Sequence, residues 1–334
     1  MDKINLEHGA GGKLSHDLLR SVFSSRYGNE YLERAADKAI IKLTGRRLAF
    51  TTDAFVMSPR NVPGCSLGAL SVFGTVNDLL TCGARPLYLS SSFVIEEGFP
   101  ISELEEIARD MASAARRCDV KIVTGDTKVV ERGKADGVFI VTSGIGEVLS
   151  KANVSGSNAA AGDSVIVTGS VGRHGIAVML ARGEFGVTAE VESDCRPLSS
   201  SLLPVLRKYG PFVHTLRDPT RGGLATTLNE IAMESGASIN IDEGKVPIEP
   251  TVRAACDLLG LDPFYLACEG VMVLVVRSQA ESSVVRELRR RGAPKSIAIG
   301  SVKRSPKGRV SMTTSVGGKR YLGMLRGVSL PRIC

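Results

Sequence analysis

The sequence runs to Cys334, at the end of a short stretch reading Ser329-Leu-Pro-Arg-Ile-Cys334. A thiol there is either part of a loose end or a nucleophile carried at the tip of an arm. Pro331 fits an arm, because it stiffens the chain and disfavours helix just before it. Prenylation is excluded, since it requires Cys four residues from the end. A carboxylate on the same residue disfavours thiolate, so a reacting Cys334 needs a base or a cationic pocket from the folded body. Four aspartates supply a second kind of chemistry. Asp53 ends the run Leu-Ala-Phe-Thr-Thr, Asp126 lies in Thr124-Gly-Asp-Thr-Lys128, and Asp218 opens Asp218-Pro-Thr-Arg-Gly-Gly223. Asp78, preceded by Asn77, interrupts a mostly apolar helical run from Leu67 to Leu80. A carboxylate on a buried helix face is costly unless paired or metal-bound. Each aspartate alone reads as an ordinary turn or cap residue. Together, beside Gly and Thr, they describe a site for Mg²⁺ and phosphate, because Mg²⁺ takes a few carboxylates and completes its shell with phosphate oxygens.

Two Gly-rich segments suit such a ligand. Gly9-Ala-Gly-Gly-Lys13 has Gly11 and Gly12 to drape N–H groups over phosphates, and Lys13 adds charge. Gly169-Ser-Val-Gly-Arg-His-Gly175 lies between a strand and a helix, a second possible anion nest. Either is equally readable as a tight turn. His8 and His174 adjoin these loops and are weaker phosphate candidates. There is no Walker motif. Lys128 is a candidate phosphate clamp or simply a surface lysine. Glu269, in Ala267-Cys-Glu-Gly270, precedes a very apolar strand. Partial burial there would raise its pKa and suit it to general-base work, whereas an exposed position would make it a strand-end cap.

The elements that must position these groups alternate along the chain. Short buried strands are expected over 48–52, 121–124, 138–142, 164–168 and 271–276. A helix over 102–117 carries Leu104, Ile107, Ala108, Met111 and Ala115 on one stripe, with Ser102 and Glu105 as a capping box. Another runs from Leu224 to Ser235 and stops at Gly236. The Ser-, Ala- and Gly-rich stretch 154–162 reads as a linker. The expected division is an N-terminal arm and helix over 1–42, a first domain over 43–153, a second over 154–325 and a mobile tail over 326–334. Strands and helices mix within each half, which makes the fold class α+β rather than a doubly wound sheet.

With 334 residues, 43% hydrophobic and 23% charged, the chain is long enough for two cores. The absence of Trp and 5% aromatic content argue against base stacking, and the net charge of +7 is modest. Basic clusters at Arg286–Arg291 and Lys303–Arg309 are expected to be solvated faces rather than a nucleic-acid footprint. The seven Cys form no Cys-x-x-Cys pair, which fits free thiols in a reducing cytoplasm. No secretory signal and no membrane-spanning run is read. Six of the seven Cys are expected to pack in apolar surroundings.

The phrases His8-Gly-Ala-Gly-Gly12, Thr52-Asp53, Gly74-Thr-Val-Asn-Asp78, Thr124-Gly-Asp-Thr-Lys-Val-Val130, Asp218-Pro-Thr-Arg-Gly-Gly223 and Pro-Arg-Ile-Cys334 closely resemble the HypE family of hydrogenase maturation factors. The resemblance runs nearly the whole length. Several motifs extend to the wider superfamily of aminoimidazole ribonucleotide synthetase, selenophosphate synthetase and thiamine-phosphate kinase. The chain departs from the family pattern at Arg173, Cys65 and Val271. The resemblance implies a homodimer whose N-terminal domains join their sheets, with ATP and Mg²⁺ near that junction. It implies that a carbamoyltransferase, HypF, loads a carbamoyl group onto Cys334, that ATP drives its dehydration to a thiocyanate, and that cyanide passes to iron on a HypC–HypD complex. On that reading Cys334, Glu269 and Lys128 are catalytic. Gly11, Gly12, Lys13, Asp53, Asn77, Asp78, Thr124, Gly125 and Asp126 bind nucleotide, and Asp53, Asp78, Asp126 and Asp218 hold metal. A related kinase or selenophosphate enzyme and a non-catalytic thiol carrier remain as alternatives. No reactive Cys occupies the N-terminal Gly-rich loop, as the selenium enzyme would need.

Overall fold

The computed structural model describes residues 38–43 (backbone), 45–183, 189–304, 308–327 and 333–334, with Lys13 and Gly186 as isolated positions. Lys13 is exposed. His8, Gly11 and Gly12 lie outside the described residues.

The first layer is a five-stranded sheet in the order β1-β2-β7-β5-β6. Its strands are β1 Lys38–Leu43, β2 Arg46–Phe55, β5 Ala84–Glu96, β6 Lys121–Val130 and β7 Val138–Val148. All pair antiparallel except β5 with β6. The short ribbon β3 Asn61–Val62 and β4 Cys65–Ser66 leads into helix α1, Leu67–Thr81. Ser66 caps α1 by accepting from the Ala69 N–H at 3.2 Å. Helix α2, Ile101–Cys118, packs beside α1. The expected capping box does not form: α2 starts one residue earlier, after Pro100, so Ser102 is already inside the first turn.

Alternation decides which way each strand faces. On β2, Ala49, Thr51, Asp53 and Phe55 turn toward α1, while Phe50, Thr52 and Ala54 turn away. The face away from α1 is open. On β6 every residue but the last is exposed, including Ile122, Val123 and Val129.

The second layer is a seven-stranded sheet in the order β14-β13-β10-β12-β8-β11-β9, in which β9 is Val213–Arg217, β10 Ser238–Asp242, β12 Ile297–Lys303, β13 Val310–Thr313 and β14 Lys319–Leu322. Its central strands β8 Ser164–Val167 and β11 Val273–Val276 are buried on both faces, so they read as continuous apolar runs. Val165, Val167, Val273 and Val275 pack against helix α5, Gly223–Ser235. Ile166, Leu274 and Val276 pack the other way, against α4 Ser199–Tyr209 and α7 Glu281–Arg290. Helix α5 ends at Gly236, whose φ of 68° is one that Gly adopts without steric cost. Arg290 and Arg291 at the end of α7 both bond Glu287.

Helix α1 joins the two layers. Its first half packs with Phe55, Ile107 and Ile140, and Leu79 and Leu80 enter the core made with Leu202, Leu206 and Met272. It is therefore buried nearly all round, which explains its weak amphipathic pattern. The helix pair is close enough that a Cβ at Gly68 would lie 2.4 Å from the Ile107 carbonyl oxygen. Gly68→Ala gains up to about 1 kcal/mol of helix propensity, but the backbone of α2 cannot rotate away. The expected net loss is about 1–3 kcal/mol, read as a lower urea midpoint with an unchanged slope.

Candidate active site

The segment Ala267–Val271, entering β11, carries Glu269 and is pinned from several elements. The Ala267 carbonyl accepts from Gly175 N–H at 3.1 Å, and Cys268 N–H donates to the Pro219 carbonyl at 2.9 Å. The Glu269 carbonyl accepts from Asn77 Nδ2 at 3.2 Å. Gly270 N–H donates to Asp194 Oδ2 at 2.9 Å, and its carbonyl accepts from Arg196 Nε at 3.1 Å. Only Gly fits at 270, where a Cβ would lie 1.8 Å from the Asp194 carbonyl oxygen.

Thus fixed, the Glu269 side chain is 5% exposed, and its Oε1 has no hydrogen-bond partner among the described residues. Burial pushes its pKa up to about 8, with the charges of Cys65, Asp194 and Asp218 adding to the rise and His174 opposing it. Glu269 is therefore buried more deeply than the partial burial expected at a strand end.

Ile333 and Cys334 reach into the same region and pack against the first core. The Ile333 carbonyl accepts from His174 Nε2 at 2.5 Å, and the Cys334 main-chain oxygen accepts from the Val56 N–H at 2.9 Å. The thiol expected at an exposed tip is instead docked and partly buried. Burial pushes it up to about 12. Glu269, Asp53 and Asp218 push the same way, and only Arg221 opposes them. Arg221 Nη2 stands 3.9 Å from Asp53 Oδ1. Asp218 is held by Thr220 Oγ1 at 2.8 Å. Asp78 is buried on α1 and accepts from Thr51 Oγ1 at 3.0 Å.

The structure thus gathers Cys334, Glu269, Asp53, Asp218 and Arg221 around one point. Arg221 is the member of this group that the motif Asp218-Pro-Thr-Arg-Gly-Gly223 does not reveal, because its direction depends on the turn preceding α5. Asn77 belongs less to a ligand shell than to the frame: both amide protons go to backbone carbonyls, of Glu269 and Arg196, and Oδ1 accepts from Leu198 N–H.

Thr124, Gly125, Asp126 and Lys128 stand apart, on the edge strand β6. Asp126 and Lys128 pair with each other at 2.9 Å and are both exposed. That bond, with one from Thr127 N–H, holds the Asp126 carboxyl below its usual range. Register places Asp126 beside Ser92 and Lys128 beside Val94, on the open face, whereas Asp53 faces α1. Within one chain, the expected metal set of Asp53, Asp78, Asp126 and Asp218 does not converge. Among the described residues no three His, Cys, Asp or Glu side chains gather as a metal cage. The donors near Cys334 are carboxylate oxygens without soft ligands, a set that fits Mg²⁺ when phosphate oxygens complete the shell.

The second Gly-rich loop is a packed turn rather than an open nest. Gly169, Ser170 and Val171 are buried, Val171 N–H donates to the Pro247 carbonyl, and Gly172 N–H bonds the Cys268 sulfur. Helix α3, Arg173–Arg182, starts there. Arg173 pairs with Glu249 at 3.5 Å, so its positive charge is taken up locally. His174 is fully buried and faces the tail, not solvent. The six other cysteines are buried. Cys65 does more than fill space: its hydrogen bond with Cys195, aided by His174, draws its pKa down to about 6 against the effect of burial.

Family models for AIR synthase related proteins match both halves of this sequence, the N-terminal domain over residues 35–148 and the C-terminal domain over 160–313. Carbamoyl dehydratase HypE of Bradyrhizobium diazoefficiens is 44% identical over 332 residues, which cover 99% of this chain and 96% of that protein. The solved HypE–HypF complex contains a chain 41% identical, with a TM-score of 0.88, over 92% of this chain and 99% of that one. HypE in complex with ATP is 42% identical, with a TM-score of 0.83, over 99% and 100%. The chain belongs to the AIR synthase related proteins and, within them, to the HypE carbamoyl dehydratase family.

Keeping Glu269 neutral stabilises the fold below its ordinary pKa, and that contribution is lost as pH rises through about 8. Glu269→Gln removes the titration. Its stability relative to the parent is expected to rise between pH 5 and pH 9, by on the order of 2 kcal/mol, in paired urea titrations. A constant difference across that range contradicts the assigned burial of charge.

Proposed function

We propose that this chain is the ATP-dependent enzyme that dehydrates a carbamoyl group on Cys334 to a thiocyanate, the source of the cyanide ligands in [NiFe]-hydrogenase assembly. The observation that carries this reading is the docking of Cys334 beside a buried Glu269 whose Oε1 has no hydrogen-bond partner among the described residues. The carbamoyl dehydratase activity of the relatives and the HypF- and ATP-bound neighbours support it.

An amide oxygen is a poor leaving group, so it must first be phosphorylated. The γ-phosphoryl group of ATP passes to the carbamoyl oxygen with ADP as the leaving group, and phosphate then leaves as the C–O bond breaks. Two protons leave the nitrogen as the C≡N bond forms, and Glu269 is the base we assign to that removal. Asp53 and Asp218, with Asp78 behind them, are the residues we assign to Mg²⁺, which when bound supplies charge neutralisation for the transferring phosphoryl group. Arg221 balances the carboxylates at the thiol. Lys128 is assigned as a phosphate clamp, and Thr124, Gly125 and Asp126 with Gly11, Gly12 and Lys13 to the nucleotide.

The docked thiol, pushed up to about 12, is a poor nucleophile. Loading by HypF therefore belongs to an undocked tail, and dehydration to the docked one, where proximity is supplied by the fold. HypC–HypD is the assigned acceptor of cyanide, and the cytoplasm the assigned compartment. We divide the chain into an arm ahead of β1, the ATP-binding domain to 153, the second domain 154–325 and the tail 326–334; the arm expected over 1–42 is shorter, because β1 pairs with β2 and so belongs to the first sheet.

A homodimer accounts for the split ligand set. The open face and edge of the first sheet expose Phe50, Tyr88, Ile122, Val123, Val129 and Ile145, an apolar surface suited to a second copy. Pairing there would bring the Lys128 group of one chain toward the Asp53 group of another. Sedimentation is expected to give a dimer at micromolar concentration, and a monomer with and without ATP contradicts this. Asp53→Asn and Asp78→Asn are expected to weaken Mg-ATP binding at least tenfold in calorimetric titration without unfolding the chain. Unchanged affinity in both removes them from the site.

The central test is mass mapping after incubation with HypF, carbamoyl phosphate and ATP. The C-terminal peptide is expected to gain a carbamoyl group and then lose one water. Cys334→Ser is expected to bind ATP and show no such conversion. Modification of another Cys in its place overturns the assignment.

A further inference from the structure

His174 is fully buried, yet each polar atom of its ring is committed. Nδ1 meets Ser193 Oγ at 2.8 Å and Nε2 meets the Ile333 carbonyl at 2.5 Å. A carbonyl only accepts, so Nε2 is the donor. Ser193 Oγ already accepts from the Cys195 N–H at 3.0 Å, which leaves its own proton for Nδ1 when the ring is neutral. In the protonated ring Nδ1 donates instead, and Nε2 still donates. The bond to the tail therefore survives both charge states. Burial opposes the protonated ring, but nearby Cys65, Glu269 and Asp194 outweigh it and raise the ring to about 9.

The ring is also rigidly placed. The His174 backbone N–H donates to Asp194 Oδ1 at 3.1 Å. The same carboxylate binds Gly270 N–H, next to Glu269, through its other oxygen. One aspartate thus fixes both His174 and the Glu269 loop. The carbonyl just before Cys334 is held by His174 of the second layer, and the oxygen just after its Cα by Val56 N–H of the first.

We propose that His174 is a positioning residue that clamps the tail, through Nε2–H to the Ile333 carbonyl, so that the group on Cys334 is held against Glu269. It touches no reacting atom. Its effect is on the balance between docked and undocked tail, and its part in dehydration rests on the function proposed above.

The test separates the two ring nitrogens. The amide nitrogen of Gln reaches about as far as Nε2, and that of Asn about as far as Nδ1. Two readouts are taken on His174→Gln, His174→Asn and His174→Ala. The first is alkylation of Cys334 by iodoacetamide, followed on the C-terminal peptide. Loss of the clamp is expected to raise that rate about tenfold in the Asn and Ala variants, the worth of one buried hydrogen bond, with Gln restoring most of the protection. The second is single-turnover, ATP-dependent dehydration after chemical carbamoylation of Cys334 with cyanate. Asn and Ala are expected to slow it about tenfold, with Gln near the parent. Changed alkylation without any dehydration in the parent sinks the proposed function and leaves the clamp standing. Rescue by Asn rather than Gln, or equal alkylation in all folded variants, overturns the clamp. A third measurement needs no His174 variant. Removing Ile333 and Cys334 must shift the Nε2–H resonance of His174 in ¹⁵N-imidazole spectra, and an unchanged resonance also overturns it.

Discussion

A buried carboxylate with one oxygen unpartnered among the described residues is the constraint on which the rest of the molecule turns. Such a group costs several kcal/mol if charged, so the fold must either neutralise it or use it. Here the backbone around Glu269 is bonded on every side, by Asn77 from the first layer and by Gly175, Asp194, Arg196 and Pro219 from the second. The carboxylate cannot relax outward by a small loop movement. It is kept at a pKa of about 8, which is near working pH and suits proton removal.

The tail obeys the same electrostatics with the opposite consequence. Docked Cys334 sits among Glu269, Asp53 and Asp218, with Arg221 as the countercharge, and its thiol holds its proton. One location therefore serves poorly for making a bond to sulfur and well for removing protons from a group already on it. The division of labour we propose, between an outer loading step and an inner dehydrating step, rests on this field rather than on the length of the arm.

Much of this was legible in the sequence because it depends on local signals. The strands 48–52, 138–142 and 164–168 were visible as apolar runs, and the helix stopped at Gly236 where only a left-handed residue fits. Asp78 on a buried helix face was readable as a costly placement, and it is buried. What could not be read depends on register and on contacts between distant segments. Whether Asp126 and Asp53 share a face is settled by strand pairing, and they do not. Asn77 looked like its neighbour Asp78, yet one helical step turns it to the Glu269 backbone. His174 looked like part of a phosphate loop, because its tail partner is 159 residues away.

The account stands most directly on a pH–rate profile for dehydration of carbamoylated Cys334 in single turnover, parent against Glu269→Gln. Glu269 must be ionised to take a proton. The parent rate is therefore predicted to rise with pH through about 8 and level off above it, while the Gln variant stays slow, by at least about a hundredfold, and flat. A Gln variant that follows the parent in both rate and pH dependence would contradict the assignment of Glu269 as the base.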